Sequence, residues 1–297
     1  MRIEEDRFGL RPLWTALLEI YGVFAKICDK HGLRYYLTDG SAIGAIRHKG
    51  FIPWDDDFDV SMPREDYDQF MAIASSELPE HLKIVNWRNT PEFPLLFSKL
   101  QDTRAEVVEK VEKEIGGFLS GGLFIDIFPI DGYPESSIER FYTRALVFLL
   151  SCIIRFRCDE FCHQTKKGRV VWIAGAFLNM LCPWLTRQKS KKLCERFLLK
   201  HPFEKSNHTG RASLRLTLLN RDPIPKECWG RGVRVPFCGI LVPVPDDYDY
   251  YLRVYYGDYM KLPPLDDQHA THHYSWRCPW WLGPTNTGDL ASTVAQA

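Results

Sequence analysis

The stretch GSAIGAIRHKGFIPWDDDFDV, Gly40 to Val60, holds a Gly-Ser turn, an Arg-His-Lys run and four aspartates beside an apolar segment. Strands ordinarily avoid Asp, and neighbouring carboxylates repel one another. In an extended Asp-Phe-Asp-Val segment alternate side chains share a face, so Asp57 and Asp59 point together while Phe58 and Val60 face the core. A cation between the two carboxylates relieves their repulsion. Hard oxygen ligands from few residues suit Mg²⁺ or Mn²⁺, which complete their shells with water and phosphate. Asp55 and Asp56 lie at the mouth of the segment, placed to orient ligand waters or to cap the loop. The third carboxylate is Asp126 in LFIDIFP, since a lone Asp among Phe, Ile and Leu is costly to bury without a partner.

Anion chemistry is expected from the same stretch. Gly40-Ser41 ahead of a helix turns backbone N–H groups and a hydroxyl toward a phosphate. Arg47, His48 and Lys49 follow closely enough to neutralise its charge, the alternative being a solvated loop. Lys99 in FSKLQD is a further cation, weighed against a solvated strand-edge lysine. Asp131 in PIDGYP reads as a turn residue, because Asp-Gly is a strong turn signal.

These residues need a scaffold. Apolar residues recur at helical spacing from Leu10 to His31, with Pro12 near the start and Gly32 at the end. LRYYLT and DFDVSM read as strands on either side of the Gly-Ser turn, and PREDYDQFMAIASSEL as a helix opened by Pro63. HLKIVNW, LLFSKLQD and GLFIDIFPI supply further strands. Apolar helices and then basic residues follow Pro134 as far as about His208. Arg221 to Pro245 is rich in Pro and Gly and reads as loops with short strands. YDYYLRVYYGDYM reads as a final helix ended by Gly257. The fold class is thus α/β with a helical elaboration.

The chain has 297 residues, and Lys plus Arg and Asp plus Glu both number 38. Zero net charge argues against nucleic acid as a partner and leaves steering to local patches. The charged N-terminus is not a secretory signal, and nine cysteines read as reduced thiols, so the cytoplasm is the expected compartment. ALVFLLSCII is too short to span a bilayer, and VVWIAGAFLNMLCPWLT barely reaches the roughly 17-residue minimum. They read either as a buried helix pair or as helices lying against the inner face of a membrane, followed by the basic run from Arg187 to Lys200. Cys158 and Cys162 share a helix face beside His163, but the spacing matches no standard zinc pattern, and two buried thiols are the alternative.

Together the motifs resemble the nucleotidyltransferase superfamily, and within it the LicD family of phosphocholine transferases and fukutin-type sugar-phosphate transferases. The resemblance rests on DGSAIGAIRHKGFIPWDDDFDVSMPREDY, GGLFIDIFPIDGYP, VYYGDYMKLPP and THHY, from about Tyr36 to Tyr274. One departure is LDDQHATHHY, where Gln268 or His269 stands in place of a basic residue after Leu-Pro-Pro. The resemblance implies a mixed sheet flanked by helices in a single domain over 1–284, with a core at about 33–134, an elaboration at 135–220, a C-terminal segment at 221–284 and a disordered tail at 285–297.

It further implies transfer of a phospho-alcohol from a CDP-activated donor, with CDP-choline the leading choice over CDP-ribitol and CDP-glycerol, to a sugar hydroxyl of a glycan or glycolipid acceptor, releasing CMP. Asp57, Asp59 and Asp126 would hold the metal and carry the chemistry, with Asp126 also taking the hydroxyl proton. Gly40, Ser41, Arg47, His48 and Lys99 would meet the phosphates. Tyr274, Trp276, Trp280 and Trp281 offer aromatic faces to a quaternary ammonium, against ordinary core packing. The competing readings are a nucleotidyltransferase that moves a nucleotide from an NTP and releases pyrophosphate, and a non-catalytic nucleotide-binding module.

Overall fold

A computed structural model describes residues 8–110, 118–157, 166–211, 223–270 and 273–277. Helix α1, Arg11–His31, follows the expected periodicity: Leu13, Leu17, Ile20, Phe24 and Cys28 are buried along one stripe, and Gly32 ends it in the left-handed conformation at φ 65°. Strand β1, Tyr36–Leu37, leads into the short helix α2, Asp39–Ile43, which widens into a π-helical turn over Gly44–His48. Strand β2 is Asp59–Pro63, α3 Arg64–Glu77, β3 Leu82–Val85, β4 Ser98–Lys110 and β5 Phe118–Gly132.

The central sheet runs β1-β2-β5-β4, with β3 also on β4. Strands β2 and β5 are parallel, whereas β4 and β5 are antiparallel, so the sheet is mixed. Period-two alternation divides its faces. Leu37, Val60, Leu100, Ile125 and Ile127 face α1 and α3 in the main core, together with Phe58, Phe24 and Phe70. Truncating Phe24 there would cost about 3–5 kcal/mol.

The opposite face carries the polar residues and is flanked by two smaller clusters. Beside β1, Tyr36, Ala42 and Ile43 pack with Trp229, Tyr251 and Leu252, the last two from helix α7, Tyr248–Tyr256. Beside β4 and β5, Phe97 and Phe128 pack with Cys152 of α4, Ser137–Phe156, and Val171 of α5, Lys166–Leu181. Helix α6, Arg187–Leu198, packs on α4 through Cys194. Strands β6, His208–Arg211, and β7, Ile224–Pro225, extend the sheet beyond β5, while β8, Val233–Phe237, and β9, Ile240–Val244, form a separate hairpin.

Three expectations change. Asp131 is a buried member of β5, to which Arg64 Nε and Nη2 each donate at 2.7 Å, because the strand continues through the Asp-Gly pair. Burial works against the charge on Arg64, yet Asp131 holds its pKa above the usual value. Lys99 is no solvated edge residue: β4 has neighbours on both sides, and Lys99 is 1% exposed. The helix pair is only half buried, since Val171 of α5 is in the core while Ile173 and Phe177 are exposed. No described helix is long and apolar enough to cross a membrane. Cys158, Cys162, His163, Trp280, Trp281 and the 285–297 tail lie outside the described residues.

Candidate active site

Strand register assembles the centre. Asp59 stands opposite Asp126 in the parallel β2–β5 pair, and Lys99 opposite Asp126 in the antiparallel β4–β5 pair. In-register neighbours share a face, so the three side chains line one row across three strands. Asp57 precedes β2 and alternates with the core residue Phe58, which matches the expected split of carboxylates from hydrophobics. The Lys99 ammonium donates to Asp126 Oδ1 at 2.7 Å and lies 3.3 Å from the Phe124 ring centroid. A buried cation in this position neutralises one carboxylate and gains from the aromatic face.

The Gly-Ser turn is tied directly to that row. Ser41 Oγ accepts the backbone N–H of Asp59 at 2.9 Å, and Thr38 N–H donates to Asp59 O at 3.2 Å. The hydroxyl expected to meet phosphate therefore first fixes the start of β2. A Cβ at Gly40 would meet Asp55 Oδ2 at 2.4 Å, so the glycine lets the turn close on the aspartate loop. Trp14 Nε1 donates to Asp55 O at 2.8 Å and anchors that loop to α1. Asp56 is buried.

Arg47 and His48 occupy the end of the π turn. The Arg47 guanidinium donates to Tyr259 O at 2.6 Å and to His48 Nε2 at 2.9 Å, holding the chain beyond α7 against the turn. Burial lowers its pKa, with Asp55 acting in the opposite sense. His48 lies edge-on to Trp54 at 6.3 Å. Strand β10, His273–Arg277, pairs with β4 across Glu106–Glu109, with Trp276 opposite Val107. Tyr274 and Trp276 thus lie more than about 20 Å along the strand from Lys99. Gln268 donates to Pro263 O at 2.9 Å and serves its local turn.

One element escaped sequence reasoning. Asp39 sits at φ 51° and receives the guanidinium of Arg211 from β6, while Tyr256 of α7 donates to the same carboxylate. Arg211 also lies over the Phe128 ring at 5.2 Å, on the face that carries Asp126. Burial works against its charge, but Asp39 holds its pKa well above the usual value. Aspartate tolerates the left-handed region better than most residues, which was the available signal. The partners are separated by 172 positions, beyond any local pattern.

Among the described residues no three His, Cys, Asp or Glu side chains are already gathered as a metal cluster. Mg²⁺ commonly takes only one or two protein carboxylates and completes its shell with water and substrate phosphate. The Asp57–Asp59 alternation, with Asp126 in register beside Asp59, fits that mode.

Comparisons with known proteins match the stretch of chain that carries these residues. The family described as LicD/FKTN/FKRP, nucleotidyltransferase domain, matches residues 32–141, which include Gly40, Ser41, Asp57, Asp59, Lys99 and Asp126. The chain is 30% identical over 272 residues to the lipopolysaccharide cholinephosphotransferase LicD of Haemophilus influenzae, covering 90% of this chain and 97% of that protein. It is also 33% identical over 73 residues to the human ribitol 5-phosphate transferase FKRP, covering 25% of this chain and 15% of that one. At that first level of identity over nearly the whole of both chains, the protein belongs to the LicD family and is homologous to a transferase.

Proposed function

We propose that the protein transfers phosphocholine, or a closely related phospho-alcohol, from a CDP-activated donor to a sugar hydroxyl of a lipopolysaccharide or similar glycan, releasing CMP. The observation that carries this reading is the Asp59–Asp126–Lys99 row, with Asp57 beside it, in a chain matched along almost its full length by a lipopolysaccharide cholinephosphotransferase.

The acceptor oxygen forms a bond to the phosphorus that carries the alcohol, and the bond from that phosphorus to the bridging oxygen breaks. CMP departs with the electron pair. Asp126 receives the proton of the attacking hydroxyl, and Lys99 holds that carboxylate in place. Asp57 and Asp59 would hold Mg²⁺ or Mn²⁺, which when bound screens the diphosphate and the leaving CMP. Ser41 keeps Asp59 in position, and amides of the Gly40-Ser41 turn would hold phosphate. Arg47 fixes the π turn that follows them.

The test incubates the purified chain with CDP-choline, CDP-ribitol, CDP-glycerol or CTP, each with Mg²⁺ and a lipopolysaccharide acceptor. The products expected are CMP and a phosphocholine-bearing glycan from CDP-choline. Pyrophosphate from CTP with no CMP from any CDP-alcohol would instead establish nucleotidyl transfer.

A further inference from the structure

Helix α5 has two apolar faces, and the fold uses only one. Gly175 lies so close to α4 that a Cβ there would meet Cys152 O at 2.3 Å, while Val171, Ala174 and Leu178 pack into the cluster around Phe128. The opposite stripe, Val170, Ile173, Phe177, Met180 and Leu181, recurs at helical spacing and is continued by Trp184 in the following turn. Ile173 is 61%, Phe177 56% and Trp184 63% exposed. Single exposed hydrophobics are ordinary, but a periodic stripe of this kind marks an interaction surface. Its neighbour α4 adds Phe141 and Tyr142 to the exposed apolar residues of the elaboration.

The surrounding charge selects the partner. From Phe161 to Cys194 the sequence has no Asp or Glu, yet it carries Lys166, Lys167, Arg169, Lys189 and Lys192, besides Arg187, which pairs with Glu92, and the buried Lys191. This local excess stands in a chain of zero net charge. Two copies meeting through the stripe would bring like charges together. A stripe of apolar and Trp residues between basic flanks, on a helix too short and too polar at its start to cross a bilayer, has the composition of an interfacial helix.

We infer that the outer face of α5, extended by Trp184, docks the protein onto an anionic phospholipid surface. Phe97, just before β4, and Phe128 of β5 pack beneath this helix pair and are two positions from Lys99 and Asp126, so docking orients the row relative to the lipid. A glycan acceptor anchored in that lipid would then meet the site without diffusing to it. That consequence rests on the proposed transfer reaction, whereas the docking itself does not.

Flotation of the full chain with vesicles tests the inference without any catalytic assay. The protein should float with phosphatidylcholine/phosphatidylglycerol vesicles, much less with phosphatidylcholine alone, and less at high salt. Phe177→Glu and Ile173→Glu should each lower partitioning by about tenfold with unchanged thermal unfolding. Each reversal at Lys166 or Arg169 should lower it by about fivefold. The inference is overturned if the wild-type chain stays in the soluble fraction with anionic vesicles, or if Phe177→Glu floats as well as wild type. It is equally overturned if light scattering shows a dimer that Phe177→Glu dissociates while vesicle binding is absent, since a second copy would then cover the face.

Discussion

Lys99 Nζ lies 2.7 Å from Asp126 Oδ1, with the lysine at 1% exposure in the middle of the sheet. Removing one partner of a buried ion pair strands the other charge, whereas removing both does not. Lys99→Met should therefore destabilise the fold by about 3–5 kcal/mol. Adding Asp126→Asn should restore most of that stability while leaving transfer abolished. Denaturant unfolding of the two variants, set against their turnover, checks both halves.

Asp57→Asn and Asp59→Asn should each lower turnover by about a hundredfold or more, since both carboxylates would hold the metal ion that screens the phosphate charge. The metal-free fold should be as stable as wild type or slightly more so, because a repelling charge is gone. Chelation of wild type should stop both donor binding and turnover, and Mg²⁺ or Mn²⁺ should restore them. Donor titration by calorimetry with and without EDTA reads this directly, and tight CDP-choline binding in excess chelator would count against the metal assignment.

Ser41→Ala should act through Asp59 rather than through the donor. The Asp59 amide loses its acceptor in a buried setting, at a cost of about 1–3 kcal/mol. Turnover should fall while the donor Kd changes little, and Ser41→Thr, which retains a hydroxyl, should recover part of it. A variant with unchanged turnover and weakened donor binding would return the hydroxyl to the phosphate.

Asp39→Asn keeps a residue that tolerates the left-handed backbone but removes the charge that compensates Arg211. Stability should drop by about 3 kcal/mol or more, and Arg211→Met added to it should recover much of the loss. A double-mutant cycle on unfolding free energy measures the coupling.

Glu77 joins the ends of α1 and α3 by accepting from Lys30 at 2.9 Å and meeting His31 at 2.7 Å. These two side-chain bonds, Lys30 first, hold its pKa below the usual 4.5. The folded value is the lower one, so the stabilisation is complete above the ordinary Glu value and disappears as pH falls through the depressed value. Melting temperatures over roughly pH 3 to 7 should show a flatter acid limb for Glu77→Gln than for wild type.

The sequence by itself determined what depends on short periods. The stripe of α1, the Gly-Ser turn before a helix and the alternation of Asp57 and Asp59 with Phe58 and Val60 all follow from periods of 3.6 or 2 and from turn chemistry. Tertiary structure decided what depends on register. Lys99 could be read as an edge residue until β3 and β5 closed on both sides of β4, and Asp131 as a turn residue until β5 ran on to meet Arg64. Ser41 gave no local sign that its hydroxyl accepts the Asp59 amide, and Arg211 gave none of its pairing with Asp39. The apolar residues of α5 could be read as core or as a membrane-facing helix because hydropathy counts residues and not neighbours, and only packing left one face uncovered. Local patterns fix which way a side chain points on its own element; what it meets there is set by contacts between segments far apart in the chain, whose free energies no short window contains.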